Sequence, residues 1–335
     1  MSAIDPSALL PPQAIQTISV EEEFAAMRDE LIAKDPTLET VLALDSEPLT
    51  KLLQACALRV SNVRQESNDR VKGLLLAFAV GADLDHIGLT YYRTARLVLD
   101  PGDPSAVPPR DPVYETDDDY RARCLIAEDG YSTAGPVGAY VYHAKSASGD
   151  VKGVDAISPV FERLVLTPEQ EAALPPGAQA YIVVEDYGLA DPTPASVVVP
   201  VLSRLGDGTP DQALLDAITA ALDDDVRPLT DEVIVQAATI IDYTVNATLT
   251  VYEGFNQGNI IAAAQASLDA YTASHHELGH APTELGVRAA LKVSGVHDVT
   301  LNDTGNGTDM TATLVVPLTA AAYCIGRTIA IGGTA

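Results

Sequence analysis

Tryptophan is absent from the 335 residues, aromatics reach only 5%, and there are three cysteines, Cys56, Cys124 and Cys324. With so few rings, the cores must be built from Ala, Val, Leu and Ile. An odd number of cysteines with no C-x-x-C pair argues against a disulfide framework and a zinc ribbon, and fits synthesis in a reducing compartment. Positive charge is also scarce: 20 Lys and Arg face 47 Asp and Glu, a net charge of -27. Such a chain repels phosphate backbones and anionic lipid, so neither nucleic acid nor a membrane surface is an expected partner. The most apolar run, GLLLAFAVGA, is too short to span a bilayer, and MSAIDPSALLPPQ at the start lacks the basic and apolar regions of an export signal.

What is present is the balance of a folded protein, 47% hydrophobic and 20% charged. The length suits two or three domains of about 100 to 150 residues each. Ser19-Val20-Glu21-Glu22 reads as a capping box opening a helix to about Lys34, where Asp35-Pro36 stops it. From Leu49 to Val80 no proline intervenes, and Leu49, Leu53, Cys56, Val60, Val63, Ser67, Arg70 and Leu74 alternate spacings of three and four. One continuous helix there would be roughly 50 Å long at about 1.5 Å per residue. Its middle, Arg64 to Arg70, is polar, so two helices broken near residue 66 fit the pattern as well as one long arm. Gly81 is expected to cap the end of this region, with Asp83 and Asp85 in a turn beyond it.

Further along, Thr116 should cap a helix over DDDYRARCLIAE, and Ala-Gly-Pro should open a helix carrying Tyr140, Tyr142 and His143. His143 has no nucleophile or orienting acid nearby in sequence, so a packing role is expected. FERLVL and AYIVVEDY read as strands flanking a Thr167 capping box, and VVVPVLS as another. GDGTPDQALLDAITAALDDD is a glycine loop feeding a helix; without G-x-x-x-x-G-K-[ST] or a basic residue it is not a phosphate loop, and Thr209 reads as N-cap with Pro210 first in the helix. The remainder reads as strands DEVIVQAA and IDYTVNATLTVY, a helix over QGNIIAAAQASLDAYTAS, a helix over VRAALKVS, strand VHDVTLND, a hairpin turn at NDTGNGTD and a last strand ATLVVPL. The acid runs at 21–23, 117–119 and 223–225 fall at predicted helix ends, where a dipole-compensating or solvated role is expected.

The expected fold class is α+β and multidomain: an N-terminal helical arm or bundle over 1–85, a middle mixed α/β domain over 86–235, and a small C-terminal α+β sandwich over 236–335. One pentapeptide asks for chemistry. His276-Glu277-Leu278-Gly279-His280 has the H-E-x-x-H spelling, which on a helix places two imidazoles on one face for a Zn²⁺ and a carboxylate beside its water. Gly279 and Pro282 disfavour that helix, and the continuation has Thr283 and Gly286 where a third ligand pattern needs Gly and His. His276, Glu277 and His280 are therefore read as a chance match. No metal, cofactor or catalytic residue is expected. A zinc-dependent hydrolase and an acidic Ca²⁺-stabilised binding module stand as the alternatives.

Taken in order, LLLAFAVGADLDHIG (74–88), DDDYRARC (117–124), STAGPVGAYVYHAKSASGDVKGVDAISP (132–159), LSRLGDGTPDQALLDAITAALDDDVRPLTDEVIVQAA (202–238) and LGVRAALKVSGVHDVTL (285–301) resemble the baseplate assembly protein J family of contractile-tailed phages and phage-derived particles. The resemblance implies a structural wedge subunit. Two copies would join a tail protein I-like partner through the N-terminal helices, and the C-terminal region would pair with neighbouring wedges to close a ring around the tail hub and beside sheath-proximal proteins. It also implies a place in the virion tail baseplate after synthesis in the host cytoplasm. Leu49, Leu53, Cys56, Val60, Val63, Leu74 and Phe78 then become candidate bundle contacts. Residues 160–196 are longer than the short turn expected from the family and read as an inserted surface element.

Overall fold

A computed structural model describes residues 12, 14–132, 135–175, 177–223, 226–305 and 308–334. Most of MSAIDPSALLPPQ, along with Asp224 and Asp225 of the third acid run, lies outside the described residues. The chain is mixed α and β and divides into two compact units. One takes in the chain up to Arg96 with Glu115–Leu125; the other takes in Leu97–Tyr114 and Ile126–Ala335.

The first unit begins with α1 (Val20–Lys34), where the Ser19 hydroxyl accepts the Glu22 N–H at 3.2 Å and Glu21, Glu22 and Glu23 fill the first turn. A short α2 (Glu39–Leu42) leads to α3 (Pro48–Gly73), 26 residues without a break. The helix runs straight through residue 66, because Arg, Gln and Glu are good helix formers and Gln65 with Asp69 and Glu66 with Arg70 make i,i+4 pairs there. It stops at Gly73, short of Val80. Gly81 is not a C-cap: at φ +53 it opens α4 (Gly81–Tyr91), and Asp83 and Asp85 belong to that helix. A carboxylate elsewhere in the unit decides this, since the Gly81 N–H donates to Asp117 Oδ2 at 3.1 Å.

α1 packs along α3, and the residues that α3 buries are Thr50, Ala57, Ser61 and Asn68, small or polar side chains at spacings of seven, four and seven. α5 (Asp117–Ile126), capped by Thr116, joins α4 around Ala79, Leu84, Ile87, Tyr120 and Cys124. Three arginines seal this small core. Arg123 makes a two-pronged pair with Glu115 at 2.5 and 3.1 Å, with both side chains at most 5% exposed. Arg96 bridges Asp85 and Asp117 at 2.6 Å each, and Arg121 caps the carbonyls of Leu76 and Ala79.

In the second unit, β1 (Val98–Asp100) pairs with β2 (Val113–Tyr114). α6 (Val137–Ala147) then precedes β3 (Val151–Val154), β4 (Val160–Arg163), the five-residue α7 (Pro168–Ala172), β5 (Tyr181–Glu185), β6 (Ser196–Ser203), α8 (Gln212–Ala221) and β7 (Glu232–Ala237). β6 is buried along its whole length, lying antiparallel to β3 and parallel to β7, as a continuous Val-rich run should. α6 and α8 cover this sheet through Tyr140, Ala144, Leu214 and Ile218. α8 starts two residues later than its sequence suggests. Asp207 takes the Thr209 N–H into a turn at 3.0 Å, and Asp211 caps the helix by accepting from Leu214 N–H at 2.8 Å.

The chain closes with β8 (Thr239–Val251), α9 (Gln257–Ser274), α10 (Glu284–Leu291), β9 (Val296–Leu301) and β10 (Ala320–Thr334), in a sheet of order β10-β8-β9. On β8 the alternate residues Tyr243, Val245, Ala247, Leu249 and Val251 are buried against Ile260, Ala264 and Leu268 of α9 and Val287 and Leu291 of α10. One expectation fails here: ATLVVPL is not a strand; the turn expected at NDTGNGTD includes Asn306 and Gly307, which lie outside the described residues. Asp309 holds the loop back against β8, accepting from the Thr304 N–H and hydroxyl and the Thr244 hydroxyl at 2.5 to 2.7 Å, and from the Asn246 amide. Leu314 and Val316 then pack on the core from irregular chain, and the last strand is AAAYCIGRTIAIGGT, parallel to β8.

Candidate functional site

α9 ends at Ser274 with His275 as C-cap, and α10 does not begin until Glu284, where the Thr283 hydroxyl accepts the Gly286 N–H at 3.0 Å. The H-E-x-x-H segment is therefore the connection between two helices, turned at Gly279 with φ +69. Its two histidines do not share a helix face. His280 and Glu277 are more than half exposed and pair with each other at 3.2 Å. His276 points inward, only 8% exposed, with Nδ1 2.9 Å from the Ala322 carbonyl and its ring 5.2 Å from that of Tyr323.

The surroundings of His276 explain its place. Leu278 makes a bridge with Ala321 of β10 and packs with Leu202, Ala238 and Ile240, the small apolar cluster where the β3-β6-β7 sheet meets the β10-β8-β9 sheet. From the other side comes the turn after β6: a Cβ on Gly208 would stand 2.8 Å from His276 Nε2 and 2.5 Å from Leu202 Cδ1. The imidazole is a spacer between two sheets. Burial lowers its pKa, Lys152 lowers it further, and the Ala322 carbonyl and Asp207 act the other way. Among the described residues no group of three or more His, Cys, Asp and Glu side chains is arranged to hold a metal ion.

The other candidate chemistry is equally occupied by structure. His143 Nε2 lies 3.0 Å from the Gly130 carbonyl, and its ring meets Tyr142 edge-on. The Tyr140 hydroxyl donates to Asp231 at 2.6 Å, and burial raises the tyrosine's pKa. Burial pushes the Cys124 thiol up to about 11 and raises that of Cys324, which keeps both protonated and unreactive near neutral pH.

The bundle candidates on α3 sit differently. Leu49, Leu53 and Val60 are half-buried and Cys56 and Val63 exposed, while beyond the helix Leu74 is exposed and Phe78 half-buried. Sequence periodicity missed two further exposed apolar residues, Leu52 and Leu58. The signal that could have found them is the small-residue stripe Ala57 and Ser61, which marks the side of the helix turned to α1.

A mixed α/β chain of two compact units, with His143, His276, Cys124 and Cys324 committed to packing and apolar side chains left open on its longest helix, has the character of an assembly subunit. Family models agree on its two ends: the baseplate J-like N-terminal domain matches residues 45–103, and the baseplate J-like protein C-terminal domain matches residues 243–315. Baseplate protein J of Escherichia phage P2 is 35% identical over 340 aligned residues, covering 100% of this chain and 99% of that one. The chain belongs to the baseplate J-like family, structural proteins of the phage tail baseplate. Among solved structures, a chain of the anti-feeding prophage baseplate, determined by cryo-EM with 6-fold symmetrisation, aligns at TM-score 0.39 and 15% identity over 66% of this chain and 44% of its own. Among the described residues no helix is long and apolar enough to cross a membrane.

Proposed function

We propose that this chain is a non-catalytic wedge subunit of the baseplate, in which α3 bundles with a second copy of the chain and with a tail protein I-like partner. The region 1–85 serves as the bundling part, 86–235 as the middle domain and 236–335 as the part that pairs with neighbouring wedges to close the ring around the hub. The carrying observation is the division of labour on α3. Its intramolecular face is made of Thr50, Ala57, Ser61 and Asn68, whereas Leu52, Leu58 and Val63 are each more than half exposed. An amphipathic helix normally does the reverse within its own domain, burying its large apolar residues. At about 100° per residue, Leu49, Leu53, Cys56 and Val60 lie beside Leu52 and Val63 and extend that open side, while Leu58 stands on the other flank of the buried stripe.

Co-expression with the tail protein I-like partner, followed by measurement of complex mass by sedimentation, tests the reading. Leu53→Asp with Val63→Asp should abolish the complex while leaving the far-UV circular dichroism unchanged. An unchanged complex overturns the bundle. Stoichiometric zinc that is lost on His276→Ala, together with peptidase activity, overturns the non-catalytic assignment.

A further inference from the structure

β4 and β5 form a two-stranded antiparallel sheet of their own. Phe161 pairs with Val183 and Arg163 with Tyr181 on one face; Glu162 pairs with Ile182 on the other, where Val184 also points. Neither face is covered: Tyr181, Ile182 and Val184 are each 51% exposed and Val183 is 41% exposed. Val165, in the loop toward α7, is 90% exposed. A lone hairpin gains little from burial and is marginal in water, yet this one carries a row of branched and aromatic side chains along β5. Charge surrounds that row asymmetrically. Glu162, Glu169, Glu171, Glu185, Asp186 and Asp191 stand exposed against one base, Arg163, over residues 160–191.

We infer that this hairpin is a docking element for a different protein, one whose face has an apolar centre and a Lys- and Arg-rich rim. Charge complementarity selects that occupant. A second copy would bring six carboxylates against six, and the whole chain, at -27, adds long-range repulsion. A basic-rimmed partner pairs those carboxylates while covering Ile182 and Val184 on one face of the hairpin. The inference is independent of α3, so variants of the hairpin and of the helix separate the two contacts.

The test takes the full-length chain and titrates it against each of the other purified structural proteins of the same tail. One protein should bind with an affinity that falls about tenfold or more for Ile182→Asp with Val184→Asp. Binding should weaken similarly for Glu162→Lys with Glu185→Lys, which leaves the apolar row intact, and on raising NaCl from about 50 to about 500 mM. Thermal melts of both variants should match the parent, since neither pair contributes to a buried core. Absence of any such partner, binding indifferent to both variants, or self-association of the parent chain through the hairpin overturns the inference.

Discussion

Replacing His276 by Ala is expected to loosen the contact between the two three-stranded sheets of the larger unit. Among the described residues the ring makes one hydrogen bond, Nδ1 donating to the Ala322 carbonyl at 2.9 Å, and it also meets Tyr323 and the Gly208 turn. Losing the hydrogen bond costs about 1 kcal/mol, and stranding a buried carbonyl raises that to about 1 to 3. The cavity left beside Leu202 and Tyr323 adds about 1 kcal/mol. The sum, about 2 to 4 kcal/mol, corresponds to amide exchange about 30- to 700-fold faster where β10 meets the connection, residues 320–324.

Titration sharpens the test. Burial lowers the folded-state pKa of His276 below the ordinary 6.5, so the unfolded chain binds the proton first. The neutral ring's contribution is complete above about pH 6.5 and declines as pH falls below it. The charges facing the ring are Lys152, which opposes protonation, and Asp207, which favours it. His276→Gln can still donate to Ala322 but cannot titrate. Hydrogen exchange with mass readout at about pH 7.5 and about pH 5.5, after correction for intrinsic rates, should show protection of residues 320–324 falling in the parent and not in His276→Gln. Equal pH dependence in the two proteins, or unchanged protection in His276→Ala, refutes the spacer role.

Three smaller perturbations follow from the same structure. Ser61 and Thr50 bury hydroxyls that have no hydrogen-bond partner among the described residues, so Ser61→Ala should stabilise the first unit by about 0.5 to 1 kcal/mol, read as a higher urea midpoint. Arg123→Met leaves Glu115 buried without its two-pronged partner and should cost about 3 to 5 kcal/mol; adding Glu115→Leu should recover much of that, and a double variant as unstable as the single would contradict the account. Asp309 gathers its hydroxyl and amide donors, which holds its carboxyl down at about 2 against an ordinary 3.8. Its tie is complete above about pH 4 and is lost as pH falls toward 2, so exchange at Thr304 should accelerate over that window in the parent and be fast throughout in Asp309→Ala.

Much of this fold is written locally. Ser19, Thr116, Thr167 and Thr283 each take the N–H three residues on, and the strict alternation from Tyr243 to Val251 states both a strand and its buried face. Several of the errors trace to a distant partner. Gly81 starts a helix because Asp117, thirty-six residues away, accepts its N–H. ATLVVPL alternates like a strand, but Asp309 has already fastened the chain to Thr244 and Asn246, and β10 takes the place beside β8 instead. β10 itself was hidden by Ala and Gly, which carry no alternation to read. His276 was visible as a letter and not as a role, because the Gly208 turn and the Ala322 carbonyl that define it lie 68 and 46 residues away in sequence.

The open surfaces and the charge of the chain bear on each other. Leu52, Leu58 and Val63 on α3 and Ile182 to Val184 on β5 would ordinarily make a protein associate with itself, since exposed apolar patches are sticky without regard to partner. A net charge of -27 opposes that encounter between like chains at distances of about a Debye length, about 8 to 10 Å, before any apolar contact forms. A partner of opposite or weaker charge meets no such barrier. In the proposed wedge, acidity would act as a filter on order: contacts with other proteins would form readily, and contacts between copies would form once a partner holds them together or salt screens them. The corollary is measurable in the purified chain, whose self-association through α3, lost in Leu53→Asp with Val63→Asp, should rise with NaCl by sedimentation, the reverse of the salt dependence argued for the hairpin's partner.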